Sequence, residues 1–234
     1  VFNGNPVSGC RVAEQENPER GSSVMDYLDI VAIVFASDFP ANVTDWRVCD
    51  DTGWTIAHEA ALQGKLPAGF SNWELATRKG WSVAHEAARH GCLPDGFDQW
   101  DIVYAKGWTV AHEAACCWKL PPSFDQWELA TQDGWTVAHE AARYGKLPQC
   151  FDRWELADNH GRTVAHEAAH YGHLPEGFNR WNIADSYGWS VAHEAARCGH
   201  LPEGFDQWHL ATRHGLTVAD VAKQHGRLQE GVQV

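Results

Sequence analysis

The chain has 234 residues, 44% of them hydrophobic, and a formal net charge of −13. That is enough apolar mass for one large domain or a continuous repeat core. An acidic chain with scattered Lys and Arg repels nucleic acid and acidic membranes, because no basic patch is segregated to offset the field. The longest apolar run, 28–36, is too short to span a bilayer and contains Asp29. No N-terminal signal with a basic start and an apolar centre is visible.

In chain order, residues 1–24 come first: rich in Gly, Asn, Glu and Ser and without periodicity, they are expected to be a tail. Met25 is the only methionine. The preceding segment is therefore read either as foreign to the native translation product or as a poorly packed leader. Val7-Ser8-Gly9-Cys10 faintly resembles a lipoprotein cleavage box, but the few residues before it are polar, and lipidation is not expected.

From residue 53 onward a block of the type Gly-Trp-Thr-Val-Ala-His-Glu-Ala-Ala recurs every 27 residues without insertion. Its glycine is Gly53, Gly80, Gly107, Gly134, Gly161, Gly188 and Gly215. A fixed period of this size marks a solenoid or array. Six full repeats occupy 53–214, and 215–234 is a degraded seventh that caps the C-terminal end. Phe39-Pro40 and Trp46 fall one period before Leu66-Pro67 and Trp73, so 25–52 is read as a degenerate N-terminal capping repeat. The seven cysteines are odd in number and sit mostly at different repeat positions. A disulfide framework or zinc ladder would follow the period, so reduced thiols are expected.

Within a unit, Thr55 suits a helix N-cap. Residues 56–61 are good helix formers, and Gly64 suits the position just past the helix end. Ala57, Ala60 and Ala61 are small enough to let neighbouring helices approach closely. Pro67 favours a second helical turn that Gly69 keeps short. Trp73, Leu75 and Trp81 are the large apolar anchors. The residues before each repeat glycine vary most (Thr77-Arg78-Lys79, and the triplets containing Tyr104 and Tyr187) and read as exposed turn tips.

Gly134-Trp135-Thr136-Val137-Ala138-His139-Glu140-Ala141-Ala142-Arg143-Tyr144-Gly145 resembles the first half of an ankyrin repeat, whose hallmark is T-P-L-H-x-A. Asp158 and Asp185, three residues before a repeat glycine, match that family's tip. Two features depart from it: the period is 27 instead of 33, and Val-Ala stands where the family has Pro-Leu. The resemblance implies an all-α repeat solenoid of ankyrin-like helix-turn-helix units, in a curved elongated array with a shortened second helix. It also implies that His58, His85, His112, His139, His166 and His193 each bond the Thr or Ser three residues earlier and backbone of the adjacent unit.

Six histidines in register do not make a zinc ladder. Stacked helices lie about 8–10 Å apart, whereas zinc needs ligands near 2.0–2.1 Å. His166-Glu167-Ala168-Ala169-His170 matches H-E-x-x-H, which on a helix can hold zinc beside a glutamate base. Its first two residues are merely the standard pair of every repeat. A zinc-dependent hydrolase centred there is the weakest functional alternative, and no catalytic residue, metal ligand or cofactor is expected.

Glu59, Glu86, Glu113, Glu140, Glu167 and Glu194 admit two readings: a row of solvent-facing carboxylates, or acceptors for a neighbouring indole N–H or backbone donor. Arg89, Arg143 and Arg197 sit three residues on from Glu86, Glu140 and Glu194 and can pair with them. Of thirteen tryptophans, only Trp118 is off register; it replaces the helix-ending glycine beside Cys116-Cys117. The expected function is a monomeric, cytoplasmic protein-interaction scaffold that contacts a partner protein of basic or mixed charge. Contact would run through the six glutamates, the three arginines, Trp118, Tyr104 and Tyr187. An acidic mimic of nucleic acid that blocks a nucleic-acid-binding protein is the alternative, and delivery into a host cell is left open.

Overall fold

A computed structural model describes residues 26–227. The expected tail and the last residues of the C-terminal cap lie outside the described residues. Eight α-helices follow one another: α1 (Tyr27–Phe35), α2 (Ile56–Leu62), α3 (Val83–His90), α4 (Val110–Cys116), α5 (Val137–Arg143), α6 (Val164–Tyr171), α7 (Val191–Cys198) and α8 (Val218–Gln224). The chain falls into two units, one ending at Lys119 and one beginning at Leu120. In the first, α1 packs on α2, α2 on α3 and α3 on α4; in the second, α5 packs on α6, α6 on α7 and α7 on α8. Each unit is thus an all-α stack of repeats. No helix among the described residues is long and apolar enough to cross a membrane.

Thr or Ser caps each of α2 to α8, and in α2 and α4 to α7 a histidine bonds back to the cap N–H. Thr136 is extended (φ −93°, ψ 163°), its Oγ1 accepts from the His139 N–H at 3.3 Å, and the Thr136 N–H donates to His139 Nδ1 at 3.2 Å. This is a capping box in which histidine takes the place usually held by Glu or Gln, so two otherwise orphaned backbone donors are satisfied at once. α1 uses Asp26 and Asp29 in the same reciprocal arrangement. α2 ends where Gly64 turns left-handed, with Lys65 N–H to Ala60 O at 2.7 Å and Gly64 N–H to Ala61 O at 3.1 Å, which occupies the last carbonyls. Trp118 holds the same left-handed conformation at φ 63° and makes the same pair of bonds, to Ala115 O and, from Lys119, to Ala114 O.

A hairpin-like tip precedes each of these helices. Ala76 pairs with Ser82, Thr77 N–H donates to Trp81 O at 2.8 Å, and Gly80 N–H closes the turn on Thr77 O. Successive tips touch: Arg78 N–H donates to Thr52 O at 3.0 Å, and a Cβ on Gly53 would lie 2.8 Å from Arg78 N. Gly53 is therefore required twice, by its φ of 84° and by that approach.

The expected second helical turn is a single turn, Phe70 N–H to Pro67 O at 3.1 Å. Rings fill the space that a longer helix would occupy. In the first unit Trp46, Phe70, Trp73, Phe97 and Trp100 meet edge to face, successive centroids 4.9–5.4 Å apart. In the second, an unbroken ladder of the same geometry runs from Phe124 through Trp127, Phe151, Trp154, Phe178, Trp181 and Phe205 to Trp208. Each buried ring contributes about 1.5–3 kcal/mol by leaving water, and each pair about 0.5–1.5 kcal/mol more. Valine and alanine make the helix interface: Val83, Ala84, Ala87 and Ala88 are wholly buried.

At the N-terminal end, Ile30 and Val34 of α1 pack on Ile56 and Ala60 of α2, which explains the apolar run that replaces the repeat motif there. The cysteines depart from expectation at one place. Cys49 is disulfide-bonded, whereas Cys92, Cys116, Cys117, Cys150 and Cys198 are free thiols. Cys49 lies in the degenerate first repeat, where a cysteine has no reason to follow the period, so periodicity did not reveal the bridge.

Candidate functional site

The histidines are structural. In five repeats the N-cap N–H donates to the histidine Nδ1, which makes that nitrogen the acceptor and leaves the proton on Nε2. Nε2 then donates to a carbonyl in the next repeat: His58 to Trp81 at 3.0 Å, His166 to Trp189 at 2.8 Å, His193 to Leu216 at 3.0 Å. Burial outweighs these carbonyl bonds and lowers the pKa of His58, His85 and His139 to about 4. Both ring nitrogens of His166 are used in this way, so the H-E-x-x-H segment presents no pair of free imidazoles and the zinc-hydrolase arrangement is not formed.

Of the two readings of the glutamates, burial favours the acceptors over the solvent-facing row. Glu59, Glu86, Glu113, Glu140, Glu167 and Glu194 are only 1–6% exposed. Each accepts a bond from the side chain five residues earlier. Trp81 Nε1 donates to Glu86 at 2.8 Å, Trp108 to Glu113 at 3.0 Å, Trp135 to Glu140 at 2.9 Å and Trp189 to Glu194 at 3.0 Å. Trp54 does the same for Glu59 at 3.3 Å, and Arg162, standing at the tryptophan position, holds Glu167 through Nε at 2.9 Å and Nη2 at 2.7 Å.

The arginine pairs differ from one another. Arg89 reaches past Glu86 to Glu113 of the next repeat at 2.8 Å and lies over the Trp81 ring, 4.5 Å from its centroid. Arg143 lies over Tyr171 at 5.7 Å. Arg197 makes the expected pair within its own repeat, to Glu194 at 2.6 Å. Burial raises the pKa of the Glu194 carboxyl, but the bonds from Arg197 and His170 and the charges of Arg197 and Arg162 prevail and hold it at about 2.

The tips create a second feature. Thr52, Trp54, Thr77, Arg78, Lys79, Trp81, Glu86, Arg89 and Tyr104 line an open groove of about 770 Å³ in the first unit. Tyr104 is half-buried there, edge-on to Trp81 at 5.2 Å. Arg78 and Lys79 are exposed. The carboxylate of Glu86 is already engaged by Trp81 and by His90 at 3.0 Å. The groove is therefore locally cationic and aromatic within an acidic chain. Of the other residues singled out from sequence, Trp118 (61% exposed) and Tyr187 (67%) stand free of the groove. Trp54, Arg78 and Lys79 also line the groove and were not singled out from sequence, although two of them lie in a triplet read as a tip.

A tip hairpin, a Thr-capped helix and a histidine bridging to the next repeat together define an ankyrin-type repeat fold. The ankyrin repeat domain of Bcl-3, described as a unique member of the IkappaB protein family, is similar to this chain, with a TM-score of 0.51 and 22% identity over 71% of this chain and 92% of that domain. The likeness establishes the fold. No protein-family model matches the sequence. No curated protein is similar to it at a significant level.

Proposed function

We propose that the chain is a non-catalytic protein-interaction scaffold whose first unit takes an extended segment of a partner protein along the tip groove. The observation that carries this reading is the groove's lining: two indoles and a phenol ring framed by Arg78, Lys79 and Arg89, in a chain of net charge −13. Such a lining favours a mixed-charge segment that places an apolar or aromatic residue between the rings and carboxylates beside the three cations. A purely basic partner, and equally the mimicry of nucleic acid, drew support from an exposed glutamate row, and that support goes with the burial of the row.

In this reading residues 53–214 supply the repeats and 25–52 and 215–234 the caps; five thiols accord with a cytoplasmic setting, whereas the Cys49 disulfide accords with an oxidising one. Trp118 in the first unit and Tyr187 in the second are further exposed aromatic contacts. Selection of a random peptide library on the full chain tests the proposal. Enriched peptides should carry Asp or Glu next to an apolar residue. Binding should fall at least tenfold in an Arg78→Glu, Lys79→Glu variant and weaken in Tyr104→Ala. Enrichment of basic peptides, or binding indifferent to the charge reversal, would refute the groove as the site.

A further inference from the structure

The geometry points to a site for zinc, or a divalent ion of similar borderline character, formed by Nδ1 of His170, Oε1 of Glu194 and Sγ of Cys198 between two successive repeats of the second unit. The three ligand atoms all lie within 4.8 Å of one another. Glu194 and Cys198 are four residues apart on α7 and so share a face, and His170 comes from the last turn of the neighbouring α6.

Distances support tetrahedral coordination. With zinc–ligand bonds of about 2.0–2.3 Å, a tetrahedral ion needs an N···S edge of about 3.5 Å and an N···O edge of about 3.3 Å. His170 Nδ1 and Cys198 Sγ are already 3.5 Å apart. His170 Nδ1 and Glu194 Oε1 are 2.7 Å apart, a hydrogen-bond distance. A metal between them opens that edge by about 0.6 Å. Binding releases the thiol proton to solvent, His170 ligates as a neutral imidazole with its proton on Nε2, and the carboxylate and thiolate balance the ion's charge.

A cation already stands at this place. Arg197 Nη2 lies 2.6 Å from Glu194 Oε1 and 3.1 Å from His170 Nδ1. Its side chain is 39% exposed, so it can swing into water when a divalent ion arrives. Arg162 remains on Glu167 at 2.7 Å, with its Nη2 3.5 Å from Glu194. The corresponding triangle in the first unit shows why the site is local. There Arg89 fills the histidine's position, 2.8 Å from Glu113, with Cys117 Sγ 3.8 Å from the same carboxylate. A guanidinium cannot ligate a metal.

Titration of the reduced, chelator-stripped full chain with Co²⁺ tests the proposal. One equivalent should bind, with a thiolate-to-cobalt charge-transfer band that Zn²⁺ abolishes by displacement. Cys198→Ser should remove the band and His170→Ala should weaken binding at least tenfold. Arg197→Gln should tighten it several-fold, because a competing cation is gone, and this outcome would not follow from a casual thiol contact. A band that survives Cys198→Ser, no binding by the unaltered chain, or weaker binding in Arg197→Gln would each overturn the assignment.

Discussion

His139 Nε2 lies 3.0 Å from the carbonyl oxygen of Arg162, twenty-three residues on in the next repeat. The opposite nitrogen of the same ring accepts from Thr136 Oγ1 at 2.8 Å and from the Thr136 N–H at 3.2 Å. One side chain therefore closes the start of its own helix and fixes the position of the following hairpin.

Removing either partner leaves a buried polar group unsatisfied. Thr136→Val and His139→Ala should each lower stability by about 1–3 kcal/mol in urea denaturation. Because they delete parts of one network, the double variant should lose less than the sum. Simple additivity would show that the two residues act independently.

The same histidines make stability depend on pH. His58, His85 and His139 titrate near 4 when folded, against about 6.5 in an unfolded chain. As pH falls, the unfolded chain takes up protons first. Stability is therefore complete above about pH 6.5 and is lost progressively towards pH 4. The melting temperature should fall steadily across that window; a flat profile there would mean that these rings are not held neutral by burial.

Buried and exposed carboxylates should respond differently to neutralisation. Glu194 is 3% exposed and surrounded by Arg197, Arg162 and His170. Glu194→Gln should cost about 1–3 kcal/mol, below the usual figure for breaking a fully buried pair because its partners reach solvent. Glu128, half-exposed in its pair with Arg153, should tolerate Gln within about 0.5 kcal/mol. With a folded pKa of about 2, the Glu194 contribution should be present above about pH 4.5 and lost below it. Denaturation curves of the two variants decide the matter.

Trp118 holds a left-handed conformation while its ring is largely in solvent. Glycine adopts that conformation without the steric cost of a Cβ. Trp118→Gly should raise stability by about 1 kcal/mol, seen as a higher urea midpoint at unchanged slope; a loss would show that the indole packs to more effect than its exposure indicates.

Caps and tips were legible because each rests on one or two residue types with a local reason. Thr or Ser precedes every repeat helix, and Gly stands wherever φ turns positive except at Lys106 and Trp118. The burial of the glutamates was not legible from their invariance, which suits an exposed row equally well. The deciding signal was a pairing inside the chain. Wherever Trp or Arg162 provides a donor, Glu follows five residues later, and in the last repeat Leu216 and Val221 lose donor and acceptor together. The groove left no such trace. It joins variable tip residues of three consecutive repeats, and only folding brings them side by side. The His170 cluster was hidden similarly: the H-E-x-x-H pattern contains His170, but its partners Glu194 and Cys198 belong to the next repeat.

The edge-to-face ladder that replaces the second helix has an optical consequence. Indole and phenyl rings alternate within each unit at about 5–6 Å, so indoles of neighbouring repeats are separated by a single phenyl ring, near enough for excitation to pass between them before emission. Native fluorescence should therefore be strongly depolarised even when tumbling is slow, and the near-ultraviolet dichroism should carry coupled bands. Both signals would vanish as the repeats part, so the chain contains its own reporter of stacking.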